Sequence, residues 1–259
     1  MVVKFRFLGE LNVKNPYLIV GFPGIAYVAK IAVDYLIEKL NAKLFAEVYS
    51  HHFPSFVIVR DNGVIEPLKI EVYSSSLNDK QIVLVTGNTQ PITPEGQHEL
   101  IDVLLGEITK RCIVRRIYAM AAYVVEKRIG EPKVYGVVTS SNLSNELKYY
   151  GVIPMSEGSI SGANGIVLGY AKMMGIDGVC LLGETGSYTA YYGYVADVKA
   201  SESLLKVLTR ILGLEIDMTD IESRAREFEE VFKKIKDAEE KALRELYEKT
   251  WFKGPSYIR

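Results

Sequence analysis

Apolar residues are spaced along this chain in two ways, and each spacing predicts a different element. Short, continuous apolar runs rich in β-branched residues indicate buried strands at residues 17–20, 81–86, 117–125, 134–139 and 178–182. Apolar residues three and four apart predict helices at residues 25–40, 94–111, 142–149, 166–174 and 201–212. Shorter or alternating segments add strands at 3–8, 44–49, 56–59 and 68–73, the first of them suited to a sheet edge.

Strands and helices alternate along the chain, which is typical of an α/β protein. We therefore expect a three-layer sandwich in which helices cover both faces of a mixed, largely parallel sheet. The mixed character comes from Asp61-Asn62-Gly63, a hairpin turn that joins strand 56–59 to a returning strand at 68–73. No low-complexity linker precedes residue 213, so the simplest division is a core domain at 1–214 and a helical arm with its tail at 215–259.

The arm begins at a predicted capping box, Thr219-x-x-Glu222, and continues to Thr250 without Gly or Pro. One apolar stripe follows this helix through Ile221, Ala225, Phe228, Phe232, Ile235, Ala242 and Leu246. The other positions are mostly charged, with both signs mixed, so most of the helix surface is suited to water. The helix either packs back on its own domain or projects to carry a terminal peptide to a partner.

The residues after the helix fit a projecting helix that carries a terminal peptide to a partner. Gly254 and Pro255 stop the helix, and the chain ends in Ser256-Tyr257-Ile258-Arg259. The residues that we expect to bind a partner are the outer stripe and the tail: Phe228, Phe232, Ile235, Leu246, Trp251, Phe252, Tyr257, Ile258 and Arg259.

Composition narrows the class of protein. The net charge is −1, so no general field attracts the chain to nucleic acid or to an anionic membrane. No apolar run is long enough to span a bilayer, and the amino-terminal residues fit a strand better than a signal peptide. Cys112 and Cys180 both lie in apolar sequence, so we expect two reduced core cysteines and a cytoplasmic protein.

Two glycine-rich turns are candidates for binding a small molecule. Gly21-Phe22-Pro23-Gly24 connects a strand to a helix, where backbone N–H groups suit an anion. Gly183-Glu184-Thr185-Gly186 follows a strand, at the end where α/β folds bind ligands. We therefore name Gly21, Gly24 and Glu184 as possible ligand residues. Tight structural turns are the alternative, and the same choice applies to the glycine-rich segment 158–165.

Other chemistry has little support in the sequence. His51 and His52 are adjacent, and no spacing typical of a zinc or iron site exists. No nucleophile motif surrounds either cysteine or any serine. We predict no catalytic residue, no metal and no cofactor.

Tyrosine residues are concentrated in two short segments of the sequence. Tyr188, Tyr191, Tyr192 and Tyr194 crowd one glycine-bounded segment, and Tyr149 and Tyr150 form a second pair. Exposed aromatic clusters mark protein interfaces because a rigid ring buries a large area at low entropic cost. The first group is our candidate oligomer interface, and the alternative is a loop folded over its own core.

Several blocks together resemble the archaeal members of the proteasome assembly chaperone two family, over roughly residues 10–215. The blocks, in order, are G-F-P-G-I-A-Y-V-A, F-P-S-F-V-I-V-R-D-N-G-V-I-E-P, G-N-T-Q-P-I-T-P-E-G, I-S-G-A-N-G-I-V-L-G-Y-A and L-L-G-E-T-G-S-Y. The resemblance implies an α/β core like that of purine nucleoside phosphorylases. It also implies a homo-oligomer, which we expect to be a tetramer, whose arms bind proteasome α-subunits or the α-ring.

Proteasome partners often end in a hydrophobic residue, tyrosine and any residue. Here Tyr257 is third from last and Ile258 is next to last, so the tail approximates that motif. Our leading hypothesis is an ATP-independent assembly chaperone or adaptor. The competing hypothesis is a nucleotide- or nucleoside-binding enzyme or sensor of ATP-grasp or phosphorylase-like type, although no metal-binding carboxylate pair supports the ATP-grasp activity given for some family members. A third is a scaffold whose arms coil on one another.

Overall fold

The computed structural model describes residues 2–77, 79–191 and 196–251. Within these ranges the side chains are described except at Tyr191, Lys236, Glu239, Glu240, Leu243 and residues 248–251.

A nine-stranded sheet forms the centre of the described chain. The described chain contains eleven strands, nine of which form this sheet. They are β1 (Val3–Phe7), β2 (Tyr17–Val20), β3 (Lys43–Ser50), β4 (Ile58–Val59), β5 (Ile65–Glu66), β6 (Ile70–Leu77), β7 (Lys80–Gly87), β8 (Arg116–Val125), β9 (Val134–Val138), β10 (Ile153–Pro154) and β11 (Gly178–Gly186). Their order in the sheet is β1-β3-β6-β7-β2-β8-β11-β9-β10, and β4 and β5 form a separate two-stranded ribbon. Parallel pairing joins β7, β2, β8 and β11 at the centre, with antiparallel pairs on both sides. The predicted mixed sheet is confirmed.

Helices cover both faces of this sheet. They are α1 (Val28–Lys39), α2 (Pro94–Thr109), α3 (Ser141–Tyr149), α4 (Ala163–Met173), α5 (Ser187–Tyr191), α6 (Val198–Leu212) and α7 (Thr219–Trp251). On β2, Leu18 and Val20 belong to the apolar cluster under α2 and α4, whereas Ile19 belongs to the cluster under α1 and α6. A central strand buried on both faces needs apolar residues at every position, which explains the continuous runs in the sequence.

The hairpin prediction was wrong about the returning strand. Asn62 and Gly63 do form a turn, with backbone φ angles of 62° and 74°. The strands that they join are β4 and β5, in the separate ribbon. The segment 68–73 instead contributes to β6, which pairs antiparallel with β7 from Ile70–Gly87 to Leu77–Lys80. β6 also pairs antiparallel with β3 from Ile70 to Ser74, so it lies between two strands and gains more backbone hydrogen bonds than a short local pairing would supply.

Other element boundaries also differ from the prediction: α4 and α6 each begin three residues earlier than expected, and two further differences have a clear backbone cause. Residues 183–186 are the end of β11 and do not form a loop, because β8 runs alongside and pairs as far as Val125 with Gly186. The first predicted helix starts with a 3₁₀ turn at Ile25–Tyr27, and the α-helix begins only at Val28. Ala26 and Tyr27 have φ angles of 49° and 53°, which an α-helix cannot contain.

The predicted capping box of α7 is also wrong. The Thr219 N–H and hydroxyl both donate to Asp217 Oδ1, at 2.9 and 2.6 Å. The Glu222 N–H donates to the Met218 carbonyl, and the Glu222 carboxylate pairs with Lys206. Because the helix already includes Thr219, the capping oxygen comes from Asp217, two residues earlier. The hydroxyl and N–H of Thr219 stabilise the charged carboxylate and lower the pKa of Asp217.

The two cysteines occupy core positions, as predicted. Cys112 and Cys180 are both free and buried. Burial raises the pKa of the Cys112 thiol and raises that of the Cys180 thiol to about 12, so both are protonated and unreactive at neutral pH.

The surroundings of α7 change along its length. Ile221 and Ala225 are fully buried in the cluster under α1 and α6, and Phe228 packs partly against that cluster. From Lys233 onward, every described side chain is exposed. The boundary between domains that we place at Leu214 stays a prediction.

The change from buried to exposed side chains along α7 can be tested with two isoleucines of this helix. We expect Ile221→Ala to lower the free energy of unfolding by about 2–5 kcal/mol, because Ile221 is 0 % exposed and its removal leaves a cavity. Ile235 is 49 % exposed, so Ile235→Ala should change stability by no more than about 0.5 kcal/mol. Chemical denaturation of both variants measures the difference, and equal losses would contradict the packing described here.

Candidate functional site

A cavity of about 340 Å³ opens at the carboxyl ends of β2, β7 and β8. This is the edge of a parallel sheet where α/β folds bind their ligands. Its wall combines the loops after β2 and β7, the end of β8 and the segment before α4. The lining residues are Gly24, Ile25, Ala29, Gln90, Ala121, Ala122, Tyr123, Val124, Met155, Ser159, Ile160, Ser161, Gly162, Asn164 and Leu182.

Two side-chain amides join the loops around this cavity. Asn164 Oδ1 accepts from the Phe22 N–H at 2.9 Å, and Asn164 Nδ2 donates to the Phe22 carbonyl at 3.2 Å. Gln90 Nε2 donates to the Pro23 carbonyl at 2.7 Å, while Gln90 Oε1 accepts from the Ala163 N–H at 3.2 Å. Segments more than 60 residues apart in the chain are therefore held together by hydrogen bonds that satisfy buried backbone groups.

The glycines predicted to bind a ligand have different surroundings. A Cβ at Gly21 would lie 2.6 Å from the Ala29 carbonyl oxygen, so Gly21 allows the loop to pack against α1. Gly24 lines the cavity, where the nearest atom to an added Cβ would be 3.6 Å away. The structure therefore brings Gly24 to the cavity, whereas Gly21 is buried beneath the loop.

Glu184 is a buried residue of β11, two positions beyond Leu182; Leu182 lines the cavity, whereas Glu184 is not among the lining residues. Glu184 lies opposite Tyr123 of β8 in the sheet. The Tyr123 and Tyr135 rings are stacked, with 4.1 Å between their centroids. Glu184 is 5 % exposed, and its Oε2 atom has no hydrogen-bond partner in the described part of the chain. Burial and the nearby Glu184 charge raise the pKa of Tyr135. Such an unsatisfied buried oxygen is rare and calls for a physical explanation.

A second feature, which sequence analysis missed, is an ion network that attaches α7 to the core. Arg128, in the loop after β8, donates from one nitrogen to both carboxylate oxygens of Asp197, at 3.1 and 3.0 Å. Its other terminal nitrogen donates to Glu229 of α7 at 2.6 Å. Asp197 also accepts from the Thr185 hydroxyl at 2.6 Å and from the Ala200 N–H, which it caps. The position of Asp197 just before a helix was a usable cap signal, but nothing local identified Arg128.

Other contacts attach the first turns of α7. Lys39 pairs with Asp220 and Lys206 with Glu222, and the Tyr35 hydroxyl donates to the Asp217 carbonyl at 2.7 Å. These bonds surround the buried Ile221 and Ala225 described above. The start of α7 is therefore positioned by both apolar packing and charge.

Aromatic rings continue this attachment to the fourth turn of α7. The Tyr188 ring contacts the Phe232 ring edge-on, with 5.2 Å between the ring centroids. The Phe232 and Phe228 rings are stacked, with 5.8 Å between their centroids. Tyr188, a predicted oligomer residue, thus contacts α7 of its own chain. The side chain of Tyr191 and all of Tyr192 and Tyr194 lie outside the described residues.

The part of α7 beyond Phe232 presents apolar side chains to solvent. Ile235, Leu246 and Tyr247 are between 49 % and 62 % exposed. Two of these, Ile235 and Leu246, belong to the predicted partner-binding stripe. The Trp251 side chain, together with Phe252, Tyr257, Ile258 and Arg259, lies outside the described part of the chain.

The described residues offer neither a metal-binding cluster nor a membrane-spanning helix. The described residues include no group of three or more His, Cys, Asp or Glu side chains arranged to hold a metal ion. His52 instead interacts with Glu99 at 3.0 Å, and the His98 ring contacts Tyr170. In the same residues, no helix combines the length and the apolar character that crossing a membrane requires.

Comparison with known proteins gives consistent matches. The model of the PAC2 family matches residues 18–236. PbaB of Pyrococcus furiosus, an archaeal proteasome activator, is 36 % identical with a TM-score of 0.82, covering 91 % of this chain and 99 % of its own. P. furiosus PbaA, an archaeal homolog of proteasome-assembly chaperone, is 25 % identical with a TM-score of 0.74, covering 97 % and 100 %. The uncharacterized protein MJ1210 of Methanocaldococcus jannaschii is 35 % identical over 235 residues, 89 % of this chain and 87 % of that one.

The ion network leads to a prediction about stability. We expect Arg128→Met to lower the free energy of unfolding by about 3–5 kcal/mol, because it leaves the Asp197 carboxylate, 1 % exposed, without its cation. Arg111→Met is the matched control, since the Arg111–Glu107 pair lies near the surface and should contribute about 1 kcal/mol or less. Urea denaturation measures both variants. Similar losses in the two would show that the network does not hold α7.

Proposed function

This chain belongs to the PAC2 family, and we propose that it acts on the proteasome as an ATP-independent assembly chaperone or activator. In this proposal it binds proteasome α-subunits through α7 and the residues that follow. The description of PbaB as an archaeal proteasome activator, and of PbaA as a homolog of proteasome-assembly chaperone, supports the choice of partner.

The observation that carries the proposal is the difference between the two halves of α7. The first four turns are attached by Arg128, by buried apolar residues and by the Tyr188–Phe232 contact. The helix then continues to Trp251, and its 33 residues correspond to about 50 Å. A helix with a fixed start and exposed apolar side chains farther along suits insertion into a groove on another protein. Ile235 and Leu246 are the described stripe residues that are largely exposed to solvent, at 49 % and 59 %, whereas Phe228 and Phe232 pack within the chain.

We also propose that the α/β core assembles into a homo-oligomer, with a tetramer as the expected form. Several copies of α7 on one body would bind a ring of repeated subunits with high effective concentration, without any single strong contact. The tyrosine segment, Tyr188 with Tyr191, Tyr192 and Tyr194, stays the predicted oligomer interface in this proposal.

The role of α7 can be tested in the full-length chain. Truncation at Leu214 would also remove Ile221 and Ala225 from the core, so substitutions give a cleaner result. We expect Ile235→Asp combined with Leu246→Asp to weaken binding to purified α-rings at least tenfold, because interface apolar anchors typically contribute more than 1 kcal/mol each. Binding is measured by co-elution or surface plasmon resonance.

The control for this test is Ile129→Asp, which changes an isoleucine outside α7 that is 81 % exposed, more than either Ile235 or Leu246. It should bind α-rings like the unaltered chain. Tyr257→Ala, tested beside it, shows whether the tail contributes separately. Undiminished capture by the Ile235 and Leu246 variant would exclude the proposed role of α7.

A second candidate function rests on the strand-end cavity and the unsatisfied Glu184 oxygen. A phosphorylase-like or ATP-grasp-like protein would bind a nucleoside or nucleotide there, with Gly24 at the wall and Glu184 accepting from a ribose hydroxyl. A ligand present at 100 times its dissociation constant should then stabilise the chain by about 2.7 kcal/mol. Thermal denaturation with a nucleoside and nucleotide panel measures this, and Glu184→Gln should abolish the shift. Identical melting curves with and without every compound would eliminate this candidate.

A further inference from the structure

The Ile25–Tyr27 turn combines backbone strain with a position at the strand-end cavity. Ala26 and Tyr27 have φ angles of 49° and 53°, in the left-handed region that residues other than glycine rarely enter. Two such residues in succession persist only where the surrounding structure holds them, and strain of this kind is concentrated at ligand-binding and switch segments. Gly24 and Ile25 line the cavity, so a change in the turn would reshape the cavity wall.

The start of α6 supplies the hydrogen bonds that hold this turn. The backbone N–H of Asp197, the cap of α6, donates to the Ala26 carbonyl at 2.8 Å. One helical turn farther along α6, the Ser201 hydroxyl donates to the Val28 carbonyl at 3.0 Å. Because the left-handed conformation is unfavourable by itself, these bonds from another segment contribute directly to keeping it.

The same aspartate is bonded to α7 through Arg128. Its carboxylate accepts from Arg128 at 3.1 and 3.0 Å, and the other terminal nitrogen of that guanidinium donates to Glu229 at 2.6 Å. Asp197 is 1 % exposed, so a shift of its side chain would leave a buried charge without its partners. One buried residue is therefore bonded to the Ile25–Tyr27 turn by its backbone and to the third turn of α7 by its side chain.

A second set of contacts joins the same two segments. The short helix α5 packs against the Ile25–Tyr27 turn and against β8. Its Tyr188 ring contacts the Phe232 ring of α7 edge-on. A shift of α7 therefore acts on the turn through α5 as well as through Asp197.

We propose that the strand-end cavity and α7 are coupled through Asp197, so that a change at one alters the other. While α7 keeps its contacts, the turn stays left-handed and Ile25 keeps its place in the cavity wall. When α7 shifts, the constraint on the turn weakens, and the strain at Ala26 and Tyr27 favours release. Energetic coupling is reciprocal, so a compound bound in the cavity biases the position of α7 to the same extent.

This inference goes beyond both functions proposed above. It concerns how the cavity and the helix affect each other, and it requires neither a proteasome partner nor a nucleoside. Its test accordingly uses the full-length chain alone, with amide hydrogen exchange as the measurement.

The first variant changes α7 and is measured at the turn. We expect Glu229→Gln, which removes the charge that α7 presents to Arg128, to speed exchange at the amides of residues 25–29 by about two- to fivefold, the range that a partly exposed ion pair supports. Asp220→Asn is the matched control, because it neutralises another α7 carboxylate whose cation is Lys39 of α1. It should leave exchange at the turn unchanged.

The second variant changes the turn and is measured at α7. Tyr27→Gly removes strain because glycine adopts a positive φ freely. We expect it to slow exchange at the amides of residues 227–233 by about threefold or more, within the full cost of one left-handed residue. Tyr27→Phe retains the strain and should leave α7 unchanged. Amides of the buried strand β2 report global unfolding and should exchange alike in all four variants.

Three outcomes would overturn the coupling. Unchanged exchange at the turn in Glu229→Gln is the first, and equal acceleration by Asp220→Asn is the second, because it would remove the role of Asp197. A response in one direction only is the third, since coupling between two sites is reciprocal. None of these outcomes bears on the proteasome or nucleoside proposals, which are tested by binding, and failure of either binding test leaves the exchange result intact.

Discussion

Asp197 is almost completely buried, and a buried carboxylate is tolerated only when cations and hydrogen-bond donors surround it. Arg128, the Thr185 hydroxyl and the Ala200 N–H supply those partners. Because the same guanidinium also donates to Glu229, the charge that satisfies the core also attaches the third turn of α7. The position of the long helix is therefore a consequence of an electrostatic requirement inside the α/β core, in addition to the burial of its first apolar residues.

This attachment divides one apolar stripe, interrupted only at Glu239, into two parts with different uses. Ile221 and Ala225 complete the core, whereas Ile235 and Leu246 remain exposed on the same helix. The β4–β5 ribbon shows the same division across its thickness, with Ile58 packed against the core and Val59 exposed. In both places the exposed residues continue a pattern whose other members are buried. On α7 this continuity supports interpreting the exposed residues as a surface for protein contacts.

The loops rich in glycine and amide side chains lie around the strand-end cavity, and their polar groups are largely used within the fold. From sequence they suggest a ligand site, and the structure does gather Gly24, Gln90 and Asn164 around one cavity. Yet the amides of Gln90 and Asn164 are already used in bonds between the loops. A motif of small and polar residues therefore serves the fold as well as it could serve a ligand. Glu184 differs from them because its Oε2 oxygen has no hydrogen-bond partner in the described residues.

The sequence by itself determined the features that depend on neighbouring residues: the central strands, helix α2, and the unbroken course of α7. The end of β11, the Asp217 cap, the separate ribbon and the Arg128–Asp197 pair were decided only by the tertiary structure. Arg128 and Asp197 are 69 residues apart, and β11 extends to Gly186 because another strand lies beside it. Such contacts depend on which segments meet in space, and hydrophobic spacing along the chain records which faces are buried but does not specify what covers them.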